Sequence, residues 1–319
     1  MIFPYEEFDL SGVTTYPLKS RKSKVTASDF ARPSNRSTTI GDFLESLPNV
    51  LAAADLKAIV AAIGAAKGAG AGVVWGLGAH VIKTGLGPVI VDLMRRGFVS
   101  AIATNGAAVI HDFEIALAGA TSEDVDEALG PGQFGMADET GRLLNGAINE
   151  GAAKGLGLGQ SVSAFLHARA PQFAKSSVLA EAARLAIPVT VHVAVGTDII
   201  HMHPAASGSA IGEASLRDFR YFVANVSRLE RGVYLNCGSA VVLPEVFLKA
   251  VALVRNRGTS LGQLTTVNLD FVRGYRTEMN VVKRPVAGGA GRGYSLVGHH
   301  ELLIPLLAAA LVDQAGDSR

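Results

Sequence analysis

VSAIATNGAAVIHDF, residues Val99–Phe113, joins a short apolar run to a helical pattern through the dipeptide Asn105-Gly106. A strand that turns directly into a helix at such a dipeptide brings several backbone N–H groups to one point. The positive end of the helix dipole lies at the same point and favours a bound anion. The stretch therefore predicts a strand-turn-helix unit whose turn is a candidate cofactor seat.

Short runs of Val, Ile and Leu alternate with helical patterns on both sides of this unit. The predicted strands are Val73–Leu77, Val99–Thr104, Val189–Val195, Val233–Asn236 and Leu264–Phe271. The predicted helices are Asp55–Ala66, Pro88–Arg96, Ala107–Leu117, Glu139–Lys154, Ser177–Ala186, Ser215–Leu229, Pro244–Arg255 and His300–Val312. This alternation is typical of an α/β fold, in which a mainly parallel sheet carries helices on both faces. Ligands of such sheets bind beyond the carboxyl ends of the strands.

Residues 1–36 are polar and show no clear period, so we predict an N-terminal arm. Residues 37–319 contain no evident linker and are predicted to form a single α/β domain.

The net charge of +1 gives no reason to expect a nucleic-acid partner. No signal peptide is visible, and the apolar tracts are shorter than a membrane span. With one cysteine, Cys237, the chain cannot form an intrachain disulfide, and we expect a cytoplasmic protein.

Glycines mark four predicted strand ends. These ends are Gly76–Gly78, Thr104–Gly106, Gly196–His203 and Cys237–Ser239. Glycine lets backbone amides approach a phosphate closely, so the pattern favours a dinucleotide. The common G-x-G-x-x-G fingerprint with a later acidic residue is absent, and turn or cap glycines are the alternative interpretation.

Two groups of histidines could carry chemistry. Asp198, His201 and His203 follow the third predicted strand, and imidazole with carboxylate is ordinary metal-ligand chemistry. His299 and His300 begin the last predicted helix. They could join the first group or donate hydrogen bonds to a ligand near neutral pH. The alternative for all four histidines is a structural role in packing or capping.

Several segments, in the same order along the chain, resemble deoxyhypusine synthase. The segments are AHVIKTG at Ala79–Gly85, VSAIATNGAAVIHDF at Val99–Phe113, IPVTVHVAVGTD at Ile187–Asp198, GVYLNCGSAVVLPE at Gly232–Glu245 and LVGHHELLIPLLAAAL at Leu296–Leu311. The resemblance implies a Rossmann-like NAD-binding fold and a homotetramer whose active sites are shared between subunits. It also implies a set of NAD-binding residues, namely Thr84, Gly85, Thr104, Asn105, Gly106, His111, Asp112, Asp198, Gly238 and Ser239.

The family forms an imine on a lysine, and that step requires an amine at this position. In this chain Val242 stands where the family's glycine-rich loop is followed by lysine. The leading hypothesis is therefore an NAD-dependent transferase or oxidoreductase that removes hydride from a small amine or alcohol. His201 or His203 would act as its general base, with His299 and His300 as further catalytic candidates.

Two alternatives stay open at this point. One is a zinc-dependent hydrolase or lyase in which Asp198, His201 and His203 bind the metal, with His299 or His300 as a fourth ligand. The other is a scaffold that binds a nucleotide without catalysis, because a fold does not determine a function.

Overall fold

The structure, a computed structural model, describes residues 3–316. These residues form six strands, namely β1 Val73–Leu77, β2 Ala101–Asn105, β3 Val189–His192, β4 Val233–Cys237, β5 Thr265–Asp270 and β6 Arg292–Val297. The helices that precede β3 are α1 Ile40–Ser46, α2 Leu51–Gly68, α3 Ala79–Lys83, α4 Gly87–Arg95, α5 Gly106–Ala118, α6 Val125–Leu129, α7 Asp138–Ala153, α8 Leu158–Arg169 and α9 Val178–Arg184. The helices that follow it are α10 Gly208–Val226, α11 Val242–Asn256, α12 Tyr275–Thr277 and α13 His300–Gln314. A π-helical segment, Glu278–Lys283, continues α12.

All six strands lie in one sheet with the order β3-β2-β1-β4-β5-β6, and every neighbouring pair is parallel. This is the strand order of the dinucleotide-binding Rossmann fold. The predicted α/β class is therefore confirmed. The first three strands are added in one direction from β1, and the last three are added in the other direction, so the topological switch point lies between β1 and β4. Such a switch point leaves a crevice at the carboxyl ends of the strands.

Both faces of the sheet are buried, as expected for parallel strands covered by helices. Trp75 and Val74 are neighbours in β1, and because side chains alternate along a strand they enter two separate cores. The Trp75 core includes residues of α2 and α13. The Val74 core includes Phe222 of α10 and Phe247 of α11. Packing against helices on both faces therefore fixes the positions of the strand ends.

The predicted turn at the start of α5 is confirmed: β2 ends at Asn105, and α5 begins at Gly106. The predicted third strand is too long. It ends at His192, because the N–H of Val193 bonds to the Ser215 hydroxyl of α10 instead of continuing the ladder. The 12-residue helix α8, the short helices α3 and α12 and the edge strand β6 were not predicted. β6 carries two charged or polar residues and a glycine among its six residues, so it lacks the apolar run of an inner strand.

Residues 3–36 are almost entirely exposed and contain two short 3₁₀ turns, Leu18–Ser20 and Ala27–Asp29. Two backbone hydrogen bonds connect this segment to the region of α1. They run from Arg32 to Ser46 and from Asn49 to Asp29. Within the described residues, no helix combines the length and the apolar character that crossing a membrane requires.

Candidate functional site

The carboxyl ends of β1 and β4 touch at the switch point. Gly78, directly after β1, donates its N–H to the carbonyl of Cys237 at 2.8 Å. A Cβ on Gly78 would collide with the carbonyl oxygen of Gly238. Only glycine allows this close approach of two backbones, and the sequence pattern had placed both glycines at strand ends.

The residues between β4 and α11, Gly238–Val241, are called the switch loop below. Gly238 has a φ of +71°, and the Ser239 hydroxyl accepts the N–H of Leu243 at 3.2 Å. Within residues 3–316, the backbone N–H groups of Ser239, Ala240 and Val241 have no hydrogen-bond acceptor. The N-cap residue of the 15-residue helix α11, Val241, makes no side-chain hydrogen bond to the helix, and the Ser239 hydroxyl satisfies only the N–H of Leu243. Unpaired N–H groups at a helix N-terminus suit an anion such as a phosphate.

Four rings, called the ring cluster, lie beside the switch loop. They belong to His80, Phe271, His299 and His300. The His80 and His300 centroids are 5.5 Å apart, and the Phe271 ring stacks on His299 at 6.1 Å. His80 and Phe271 were missed by sequence reasoning, because nothing local marks them. The sheet order alone brings the ends of β1 and β5 to the start of α13.

His300 is the buried member of the ring cluster. Its Nε2 lies 3.0 Å from the carbonyl of Leu269, so Nε2 carries the proton and Nδ1 is left as an acceptor. Nδ1 is buried without a hydrogen-bond partner in the described part of the chain. A Cβ on Gly238 would collide with this ring, so His300 contacts the switch loop directly.

At the start of α5, where the sequence predicts an anion seat, the structure places two side chains of the chain itself. The Asn105 side chain accepts the N–H of Ala108 at 3.0 Å. The carboxylate of Asp198 lies directly against Gly106, where a Cβ would collide with it. The positive end of α5 therefore faces a carboxylate of the chain itself, and a bound phosphate there would be repelled. Burial raises the pKa of Asp198, while the nearby His201 lowers it.

His201 and His203 are held by the backbone. Nδ1 of His201 accepts the N–H groups of Gly196 and Asp198 at 3.1 and 3.2 Å. Nδ1 of His203 accepts the N–H of Ala205 at 3.1 Å. Each neutral ring then carries its proton on Nε2 and has no lone pair left to act as a base. This geometry argues against the predicted roles of both residues as general base.

The predicted zinc site is not formed by these side chains. Among residues 3–316, no three His, Cys, Asp or Glu side chains are placed to hold a metal ion. The His203 ring packs against Gly141 instead of turning towards Asp198. His299 and His300 follow β6, whereas His201 and His203 follow β3 at the opposite side of the sheet. Even β3 and β5 lie four strand spacings apart, roughly 19 Å, so the four histidines do not form one cluster.

Four of the predicted cofactor residues have structural roles. The Thr84 hydroxyl bonds to the carbonyl of His80 at the end of α3, and Gly85, with a φ of +81°, ends that helix. The buried Thr104 hydroxyl bonds to Leu77 across the β1–β2 pair. Asp112 is fully buried and accepts hydrogen bonds from the Ser177 hydroxyl and from the backbone at the start of α9. None of these four presents a polar group at the switch point.

A cavity of about 260 Å³, called the α5 pocket, lies next to Asp198 and is lined by residues of α3, α5 and the segment that follows α5. Nδ1 of His111 lies 2.7 Å from the Thr121 hydroxyl, which donates to Glu114 at 2.6 Å. Lys83 also lines the pocket. Thr121, Glu114 and Lys83 were missed as site residues, because residues in a helix and a loop converge here only through tertiary packing.

No protein-family model matches the chain, and no curated protein matches it in sequence. Solved structures do match. A ternary complex of AgrE with ornithine and NAD+ gives a TM-score of 0.56 at 19% identity, covering 84% of this chain. The chain spans about a third of that protein, 34% of its length.

A "conserved putative LOR/SDH protein" from Methanococcus maripaludis S2 gives a TM-score of 0.51 at 17% identity, covering 82% of this chain and 70% of its own. A "putative deoxyhypusine synthase" from Entamoeba histolytica gives 0.53 at 11% identity, covering 89% and 96%. At these identities the matches show the fold. The resemblance to deoxyhypusine synthase found in the sequence is confirmed at that level: the chain has the Rossmann-like fold that these proteins share.

Proposed function

We propose that this protein is an NAD-binding enzyme that removes hydride from a small amine. The observation that carries the cofactor assignment is the switch loop, with three unpaired backbone N–H groups directly before the N-terminus of α11. A pyrophosphate matches these donors in charge and geometry. The loop lies at the switch point, where dinucleotides bind in sheets of this strand order.

The two flanks of the switch loop suit the other parts of the cofactor. The ring cluster offers flat ring faces, on which a heteroaromatic ring can stack. On the other side, the buried carboxylate of Asp198 can accept hydrogen bonds from ribose hydroxyls. When bound, NAD+ supplies a hydride acceptor, and the chain supplies orientation and proton transfer. AgrE, which has the same fold, is known with NAD+ and ornithine bound, and this supports the same cofactor and an amine substrate here.

An amine is favoured over an alcohol because carboxylates outnumber cations around the α5 pocket. Its lining includes Asp198, Glu114 and Glu123 against the single lysine Lys83. Transfer to a lysine of this chain at Val242 is not proposed, since α11 begins there without an amine and Lys249 pairs with Glu245. The homotetramer and the cytoplasmic location stay predictions of the sequence.

The substitution Ala240→Asp tests the cofactor site. Residue 240 is exposed, so the new carboxylate can lie at the N–H groups of the switch loop without disturbing the core. It complements the dipole of α11 and leaves stability unchanged or raised, but it repels a pyrophosphate. We expect at least about a tenfold loss of NAD+ affinity by titration calorimetry.

Ala240→Asn, similar in shape and uncharged, is the matched control and keeps the affinity of the unmodified protein within about twofold. The proposal fails if the unmodified protein does not bind NAD+ at millimolar concentration, or if the Asp and Asn variants bind it equally. NAD+ binding without NADH formation from any of a panel of primary amines would favour the non-catalytic scaffold instead.

A further inference from the structure

The proton-accepting group of the site can be identified from the hydrogen bonds around His111. Thr121 has one hydroxyl proton, which it donates to Oε2 of Glu114 at 2.6 Å. The hydroxyl oxygen of Thr121 lies 2.7 Å from Nδ1 of His111. Because its proton is already donated to Glu114, this oxygen can only accept a hydrogen bond from Nδ1. Nδ1 consequently carries a proton, and the lone pair of the neutral ring is on Nε2.

Glu114 is itself fixed. Its second oxygen accepts the hydroxyl of Thr140 in α7 at 3.0 Å, so both carboxylate oxygens are bonded. The hydrogen bonds from His111 to Thr121 and from Thr121 to Glu114 resemble the arrangement in which a carboxylate orients a catalytic histidine. Here a hydroxyl group lies between the carboxylate and the imidazole. Among His111, His201 and His203, His111 keeps its lone-pair nitrogen, Nε2, without a hydrogen-bond partner beside the α5 pocket, whereas His201 and His203 use their lone pairs to accept backbone N–H groups.

Two charged groups of the pocket, one on α5 and one on α3, act on His111. Burial lowers the pKa of the imidazole, Glu114 on its own helix raises it, and Lys83 of α3 lowers it. Glu123 of the following loop and Asp198 after β3 line the same cavity. A histidine that is uncharged at neutral pH is ready to accept a proton.

We propose that the α5 pocket binds a small primary amine and that Nε2 of His111 accepts the proton of its ammonium group, with Thr121 and Glu114 as positioning residues. The N–H bond of the ammonium breaks, its electron pair stays on nitrogen, and the proton forms a bond to Nε2. The proton transfer balances by itself, because an ammonium ion and a neutral imidazole give a neutral amine and an imidazolium ion. NAD+ held by the switch loop would supply the hydride acceptor for the neutral amine.

The cavity limits the size of the amine. Its volume of about 260 Å³ lies just below the range of drug-sized ligand pockets. Asp198, with 8% of its surface exposed, offers a buried carboxylate to an ammonium group. Lys83 is exposed at the pocket and can pair with a carboxylate of the same molecule. A diamine or an amino acid of a few carbons fits this combination. The inference rests on the proposed function for its substrate class.

Nitrogen-15 NMR of the histidine rings tests the proton position without an assay of activity. We expect the Nδ1–H tautomer for His111 in the full-length protein above its pKa. Thr121→Ser keeps the hydroxyl and the tautomer, whereas Thr121→Val removes the acceptor and shifts the ring towards Nε2–H. An Nε2–H tautomer in the unmodified protein overturns the inference, as does a Thr121→Val ring that behaves like that of Thr121→Ser.

The same spectra give the pKa of His111 and its response to ligands. Glu114→Gln lowers this pKa and Lys83→Met raises it, because the two charges act in opposite directions. Either 1,4-diaminobutane or L-ornithine shifts the His111 resonances, and the neutral 1,4-butanediol does not. If neither amine shifts the His111 resonances, or if 1,4-butanediol shifts them equally, the assignment of an amine to the α5 pocket is contradicted. If the protein does not bind NAD+ but His111 has the Nδ1–H tautomer, the proposed function is contradicted and the assignment of the His111 proton is not. The failure of the proposed function can therefore be distinguished from the failure of this inference.

Discussion

The carboxylate of Asp198 lies against the backbone of Gly106, so the positive end of helix α5 faces a side chain from the loop after β3. Asp198 follows β3, and Gly106 follows β2, and the parallel pairing of these strands brings the two residues together. The contact places the negative charge at the edge of the α5 pocket and disfavours a bound anion at the start of α5.

Gly106→Ala tests this contact. The new Cβ collides with the Asp198 carboxylate and displaces it, so we expect a loss of about 1–3 kcal/mol in the free energy of unfolding. Weaker NAD+ binding is also expected, because Asp198 loses its position. Urea denaturation and calorimetry measure the two effects. The matched control is Gly146→Ala in α7, where no atom lies within 4 Å and helix propensity favours alanine by about 0.5–1 kcal/mol. Equal stability of both variants would contradict the described contact.

A second glycine pair isolates the collision with His300. Gly238 and Gly70 both have positive φ, at +71° and +66°, but only Gly238 faces a neighbouring side chain. Gly70→Ala adds strain alone, about 1 kcal/mol. Gly238→Ala adds the same strain and also displaces the buried His300 ring, so its cost in thermal or urea denaturation is at least about 1 kcal/mol larger. Similar costs would mean that His300 moves away without resistance.

The sequence predicted the parts of the fold that local chemistry determines. Buried strands such as β1 appear as apolar runs, and Asn105-Gly106 marks the boundary of β2 and α5 because an Asn side chain can cap a helix. The edge strand β6 lacks an apolar run and was missed. The partners of a side chain are equally invisible in sequence. His201 resembles a catalytic histidine until the two backbone N–H groups on its Nδ1 are seen.

Asp112 shows the same limit, and its structural role can be tested. Its carboxylate accepts three hydrogen bonds at the start of α9. Asp112→Ala leaves these buried donors without an acceptor, so we expect a loss of about 2–4 kcal/mol in the free energy of unfolding. The control Asp124→Ala removes the exposed cap of α6 and costs about 0.5–1 kcal/mol. NAD+ affinity of the folded Asp112→Ala protein stays unchanged. A tenfold loss of affinity would return Asp112 to the predicted cofactor site.

The buried His192 makes stability depend on pH. Its Nε2 lies 3.2 Å from the Thr190 hydroxyl, and its ring contacts Phe222 edge-on at 5.2 Å. Burial lowers the pKa of this histidine from 6.5 to about 4. Between these values the unfolded chain binds a proton that the folded chain does not, so the free energy of unfolding decreases as the pH falls. The loss amounts to about 2 kcal/mol at pH 5.

His192→Gln isolates this effect, because glutamine does not titrate and the other ionisable groups are common to both proteins. Burial also raises the pKa of Asp112 to about 6 and of Asp218 to about 7, and these groups change stability in the opposite direction. The difference in unfolding free energy between the two proteins therefore carries the histidine contribution alone. Urea denaturation at pH 7 and pH 5 is expected to show this difference shifting by about 2 kcal/mol in favour of the variant at the lower pH. Parallel behaviour at both pH values would place the proton on His192 in the folded protein and contradict its burial as an uncharged side chain.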